Sequence, residues 1–532
     1  MSKSLSILCL FITGMLALSG CTKKNKTEYG LDVSKTLRMT ISAEPPSMDW
    51  NKSTDTTSAL IQDNIMDGLI EYEFAESDIK VKAALASKWT STEKARKWTI
   101  HLRKDVKWTD GVPFTAKHVR DGWVRLLTPS TASEYAYYLY GIKNGRKFNE
   151  GKIKKDSSLG VKIIDDYTLE IELEQPMSYF PYLLTHHCTF PIRKDLIDKF
   201  GDKWTTPENL QTLGAYTLKK WDHDKALILS RNTSYYDSAP KIENILIYVI
   251  NEMSTSVNLF KSKKIDVQIG LPSTELKSLS QMPEYQKTNI LSIYYYGFNT
   301  KKPPFNDPNV RRAFSMAIDR TQLTNILGGG QMPLTGWVPS GMFGHKKSAG
   351  LKFNVSKAKD YLKKAGYGAS KPFPKVTLSF NTNENHQRIA ENVQAQLKSN
   401  LGVNLELKNE EWKVYLSSLK ADTPQIFRLG WQSDYPDPDD FLKLMTSYSE
   451  NNHTKWKSKT FDNLVEKAAS VVSRTKRAAM YEKAQKLLTE NEVPAMPMFT
   501  AVNHMLISKR VKSFPSNVMG RHKFKEAELS DK

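Results

Sequence analysis

Cysteine is scarce, with three in 532 residues, and only Cys188 lies beyond position 21. No disulfide can form within the folded part, so a chain of this length depends on its cores for stability and not on covalent bridges. Catalytic signatures are missing too. There is no G-x-S-x-G, no H-E-x-x-H, no Walker loop and no C-x-x-C, and a hydrolase without a nucleophile in its setting or a metal cluster is excluded as the main reading. After residue 20 no apolar run approaches the ~18 residues of a membrane span. Nor is any run of like charge long. The net charge is +20, but Lys and Arg are spread along the chain, which describes a solvated basic surface and not a nucleic-acid track. Internal repeats and low-complexity blocks are absent.

What is present describes a folded, exported protein. Hydrophobic residues make up 39%, charged residues 25% and aromatics 10%, enough for two or three packed units or a ring-lined pocket. The first residues differ from the rest: Lys3, then an apolar stretch from Leu5 to Leu18 broken only by Ser6 and Thr13, then Leu18-Ser19-Gly20-Cys21. That is a targeting segment. Its end resembles the bacterial lipobox, which implies a signal peptide over 1–20, acylation of Cys21, and a polar tether over 21–33. Such a chain is exported to the periplasm or cell surface and touches the membrane through its lipid anchor alone.

Strand signals are frequent. Trp98, Ile100 and Leu102 alternate with polar residues, as do Tyr167, Leu169, Ile171 and Leu173. Further β-rich runs cover 226–230, 245–250, 290–298, 376–380, 403–407 and 425–430. Helices interleave: Asp307-Pro308 opens one that buries Val310, Ala313, Phe314, Ala317 and Ile318. Others start near Asn354, carry Ile389, Val393 and Leu397 before Gly402, or carry Met480, Ala484, Leu487 and Leu488. The mixture predicts an α/β class.

Three clusters invite a chemical reading. Gly328-Gly329-Gly330 follows a helical pattern and reads as a helix stop. His186-His187-Cys188, read as part of a strand, would point its side chains to opposite faces and so fail to converge on a metal. The acidic run from Asp434 to Asp440 lacks the glycine and closing glutamate of a calcium loop. Asp434 stands just beyond a strand end, where loop carboxylates face ligand crevices; the alternative is a helix cap, for which Asp439 or Asp440 is better placed.

Ala86-Ser87-Lys88-Trp89, Trp98 to Trp108 with Asp110-Gly111, Pro303-Pro304-Phe305-Asn306-Asp307 to Arg320, and Leu429-Gly430-Trp431 to Asp434 together resemble the extracellular solute-binding proteins of the peptide and nickel class. The oligopeptide-binding branch is the nearest likeness, over about 37–507. The resemblance implies a two-lobed periplasmic-binding-protein-like fold with an extra N-terminal subdomain: a core subdomain of lobe I over 34–67, 194–291 and 502–532, the extra subdomain over 68–193, lobe II over 292–501, and hinges near 291 and 501. It implies a monomer that is not an enzyme, needs no cofactor or metal, and passes short peptides to the permease of an ABC importer. Gly430, Trp431 and Gln432 would offer main-chain bonds to an extended peptide. Tyr135, Tyr295, Trp412 and Trp431 would wall the side-chain pockets, Asp434 would hold the α-ammonium, and Arg428 with His386 would face the C-terminal carboxylate. Two departures leave peptide length open: a lysine of the branch aligns with the glycines near Gly328, and Leu419 stands where the branch can have arginine. The alternatives are a dipeptide, murein-peptide or nickel receptor of the same family or, from another class, a lipoprotein hydrolase.

Overall fold

The computed structural model of the chain describes residues 26–74, 79–471 and 473–530; the targeting segment 1–20 and Cys21 lie outside the described residues. Among those described, no helix is long and apolar enough to cross a membrane.

An eleven-stranded sheet runs through the molecule. Its spatial order is Leu405–Glu410, Val376–Asn381, Ile426–Gln432, Tyr285–Phe298, Ala495–Ile507, Val267–Ile269, Thr36–Ile41, Asn244–Val249, Ala226–Arg231 and Tyr216–Asp222, with Met332–Pro333 beside Ala495–Ile507. Strands from late in the chain build the arm in lobe II and strands from early in the chain build the arm in lobe I. Two long antiparallel strands, Tyr285–Phe298 and Ala495–Ile507, belong to both. Their register slips between the lobes: Asn289 faces Val502 whereas Ile293 faces Thr500. Inside that slip, Leu291 donates instead to Val518 O (2.7 Å) and accepts from Ser433 N (2.8 Å).

The extra subdomain carries its own four-stranded antiparallel sheet, Ala86–Thr92, Lys97–Leu102, Thr168–Glu172 and Val161–Asp165. Trp98, Ile100 and Leu102 are buried and alternate with half-buried neighbours, so the period of two does place one face in a core. In lobe II a separate core gathers Phe298, Phe305, Phe314, Leu378 and Val393.

Several expected elements shift. The strand expected over 290–298 begins at Tyr285; Gln286, Lys287 and Asn289 there are polar and exposed, and pairing with the strand Ala495–Ile507 holds them where no apolar alternation announces them. The strand expected over 403–407 lies at Leu405–Glu410, and the one over 425–430 runs on through Trp431 to Gln432. The helix opened by Asp307 stops at Met316 because Asp319 caps a second helix, Arg320–Leu327, by accepting from Thr321 N and Gln322 N. Gly328 ends that helix in the left-handed region at φ 65°, as a helix stop requires. The premise that His186-His187-Cys188 lies in a strand fails: His186 caps a 3-10 turn, His187–Thr189.

Candidate functional site

The strand Ile426–Gln432 pairs along its whole length with Tyr285–Phe298, from Phe298 opposite Ile426 to Ser292 opposite Gln432. On its other side Val376–Asn381 meets it only at Ile426 and Phe427. Among the described residues no strand covers that edge from Arg428 to Gln432. Backbone donors and acceptors left this way are a template for another strand. One carbonyl is already used, since Tyr415 Oη donates to Arg428 O at 2.8 Å. Gly430 sits tight against the neighbouring strand, where an added Cβ would come 3.0 Å from Ile293 O.

The open edge faces a cleft of about 400 Å³ between the lobes. Tyr135, Tyr295, Trp412, Arg428, Gly430, Trp431, Gln432 and Asp434 all line it. His386 does not. Its ring lies 5.5 Å from that of Tyr294, and the Arg428 guanidinium lies 4.5 Å over the same tyrosine; burial, then Arg428, pushes His386 well below the ordinary imidazole range. Arg428 Nη1 donates to Asn381 Oδ1 at 3.2 Å and has no carboxylate partner among the described residues.

The acidic run divides its work. Asp437, and not the expected Asp439 or Asp440, caps the helix Pro438–Lys443 by accepting from Asp439 N, because the Pro at the first helical position fixes the cap one residue before it. Asp439 accepts from Tyr179 Oη and Tyr435 Oη at 2.9 and 2.8 Å. Asp440 accepts from Trp431 Nε1 and from Asp434 N. Asp434 alone turns its carboxylate to the cleft.

Asp434 Oδ1 lies 3.1 Å from His186 Nε2 and 3.7 Å from Arg521 Nη2. Oδ2 is buried and has no hydrogen-bond partner in the protein. Burial alone would raise this carboxyl, but His186 beside it and then the Arg521 guanidinium outweigh burial and hold Asp434 below its usual range. Its neighbour Asp440 goes the other way, pushed well up by burial and by the Asp434 charge. The two neighbours thus move in opposite directions, as expected of two acids sharing a buried site.

His186 and His187 line the cleft with ring centroids 4.0 Å apart, and Tyr135 stands 4.7 Å from His186 and 6.2 Å from Trp431. Burial, then His186, drives His187 down to about 3. No His, Cys, Asp or Glu group suited to a metal ion occurs among the described residues. The motif reading missed His186, His187, Asp55, Asp63 and Arg521, all of which line the cleft. Asp55 had a visible sign, a capping residue before the Thr-Thr-Ser that opens the helix Thr56–Ile65. Arg521 had none, because it lies far along the chain in an irregular segment.

The sequence description "Bacterial extracellular solute-binding proteins, family 5 Middle" matches residues 80–453. The periplasmic oligopeptide-binding protein OppA of Escherichia coli is 36% identical over 521 residues, covering 96% of this chain and 94% of that protein. The structure of the Escherichia coli murein tripeptide binding protein MppA superposes with a TM-score of 0.88 at 32% identity, covering 93% of this chain and 98% of that one. The unliganded open form of MppA superposes with 0.63 at the same identity, covering 93% and 97%. The lobes of this chain thus stand in an arrangement different from that open form.

Proposed function

The chain belongs to the bacterial extracellular solute-binding proteins of family 5, and from that premise we propose that it captures short peptides outside the cytoplasmic membrane for an ABC importer. One observation carries this reading: an uncovered strand edge, Arg428–Gln432, ends beside a buried carboxylate whose Oδ2 lacks a partner. An extended peptide supplies what both need. Its N–H and C=O groups add a strand to the edge, and its α-ammonium donates to Asp434. Arg428 faces the other terminus, and Tyr135, Tyr295, Trp412 and Trp431 wall the spaces for side chains, which water fills as required. His386 acts on a peptide through Arg428 and Tyr294.

The lobes divide as 34–67, 194–291 and 502–532, with the inserted 68–193, against 292–501. The slip between Asn289 and Ile293 supports a hinge there, since a strand pair with broken register bends more readily than a continuous one. Leu18-Ser19-Gly20-Cys21 supports acylation at Cys21, so the receptor works as a tethered monomer. Native mass spectrometry of the purified protein tests the reading. Retained masses should match peptides and leave on addition of excess tripeptide; retention of a non-peptide ligand, with no response to tripeptides, would overturn it.

A further inference from the structure

Five charged side chains other than histidine line the cleft: Asp55, Asp63, Asp434, Arg428 and Arg521. Three form one network, in which a single guanidinium is shared by two carboxylates and a negative charge is left over. Arg521 Nη1 lies 2.9 Å from Asp63 Oδ2 and its Nη2 lies 3.7 Å from Asp434. Arg428 and Asp55 remain without an ion partner among the described residues. The first awaits a peptide carboxylate. The second has no counterpart in a peptide whose side chains are all neutral.

Asp55 is buried at 6% exposure and every donor it has is uncharged. Its Oδ1 accepts from Thr57 N at 3.0 Å and Ser58 N at 2.9 Å, and from Trp412 Nε1 at 3.5 Å, and the Ser58 side chain also bonds the carboxylate. Those donors do not offset burial, which leaves the Asp55 carboxyl above its usual range. Around it, Trp412 and Leu416 from lobe II and Leu60 from lobe I line the same cleft, all half-buried. Such a wall suits an aliphatic stem that ends in a charge, and an indole next to a carboxylate suits the cation itself. The two halves of this niche come from different lobes, so it is complete only when they approach.

We propose that Asp55 and Trp412 form a subsite for a basic side chain, so that the protein favours peptides carrying a lysine or arginine. This rests on the peptide-binding reading above and assigns a preference within it. A desolvated carboxylate lacking a cation strengthens any ion pair made to it, because little solvent screens the contact.

Calorimetry on trialanine and on tripeptides with one lysine at each position, each matched by a norleucine twin of nearly the same stem without the charge, tests the preference. At least one lysine peptide should bind about tenfold or more tighter than its twin. In Asp55→Asn that gap should fall below about threefold while trialanine binds as before. Asparagine also caps helices, so the helix Thr56–Ile65 should keep its start; Asp55→Ser offers a second capping variant, and the norleucine comparison needs no variant at all. Trialanine binding without any lysine gap, or a gap that survives in Asp55→Asn, overturns the subsite and leaves the peptide reading standing. Failure of every tripeptide to bind overturns the peptide reading and the subsite with it.

Discussion

Asp434 has two oxygens in different circumstances, one against His186 and Arg521 and one with no partner. A charge-assisted hydrogen bond from an α-ammonium to the second nets about 1.5–3 kcal/mol after desolvation. Deleting either partner leaves the other buried and unpaired, so Asp434→Ala, or N-acetylation of the peptide, should each lose about 3 kcal/mol. Both changes delete the same contact and should not add. Four affinities of one tripeptide by calorimetry close this cycle, and equal losses from acetylation in both proteins would place the ammonium elsewhere. Two other residues contribute to the response to acid. His187 and His453 are each pushed to about 3 by burial first and then by neighbouring positive groups. Between those values and the ~6.5 of an unfolded chain, the unfolded state binds protons that the folded state refuses, so stability is full above that range and is lost as pH falls through it. At pH 5 each histidine should cost about 2 kcal/mol relative to neutrality. Melting between pH 7.5 and 5 should show the decline, and His187→Gln should flatten it; a variant as acid-sensitive as the original would locate the effect in other groups. Asp434 was legible in the sequence because it follows a strand end, and its aromatic neighbours were legible by resemblance. His186 was hidden by the assumption of a strand, which its role as a 3-10 cap removes.

Elements with a regular apolar period were read most directly. Lys97–Leu102, Val376–Asn381 and the helix Glu384–Leu401 lie where their periods put them, because each buries one face whatever its neighbours do. Boundaries failed where the chain is held by pairing or by a cap several residues away, as at Tyr285–Asn289 and Asp319. The uncovered edge could not have been read at all: it depends on Val376–Asn381 ending its contact with Ile426–Gln432 after two pairs, and sheet order across a crossover leaves no local mark. That edge has a chemical consequence. A strand added to it is held by its amides, so replacing one peptide N–H by an ester oxygen should weaken binding by about 1–2 kcal/mol at a bonded position. Varying a neutral middle side chain should change affinity by less than about a hundredfold, or roughly 3 kcal/mol. Ester tripeptides scanned by calorimetry distinguish the cases. If every ester binds as well as its amide while side chains are strongly selected, recognition runs through dry pockets and not through the strand.

Across the whole molecule, the two lobes share a sheet and meet through a buried aromatic seam, where Tyr138 and Tyr179 pack on Tyr435, and through polar pairs at the rim. Lys420 meets Glu134 at 2.5 Å, Arg146 meets Glu466 at 3.2 Å, and Ser254 Oγ donates to Glu384 Oε1 at 2.8 Å. Arg146 and Glu466 are each more than 40% exposed, so solvent screens that pair to about 0–1 kcal/mol, whereas Glu134 is buried beside a half-exposed Lys420 and is not screened in that way. A ligand gripping Asp434 and Trp431 on one side and Tyr135 on the other contributes more than the rim does, and only contacts with both lobes can bias the equilibrium toward closure. Peptide should therefore compact the protein, and at a hundred times its dissociation constant should stabilise the bound form by about 2.7 kcal/mol. Glu466→Ala, which loosens the rim and leaves the cleft wall intact, should change affinity by less than about fivefold, or 1 kcal/mol. Asp434→Ala should change it by more than about a hundredfold. Small-angle scattering with and without saturating tripeptide, run on all three proteins, separates the two contributions. An unchanged radius of gyration and melting temperature in the unmutated protein would refute ligand-driven closure, and a Glu466→Ala variant as impaired as Asp434→Ala would transfer the closing energy from the peptide to the rim.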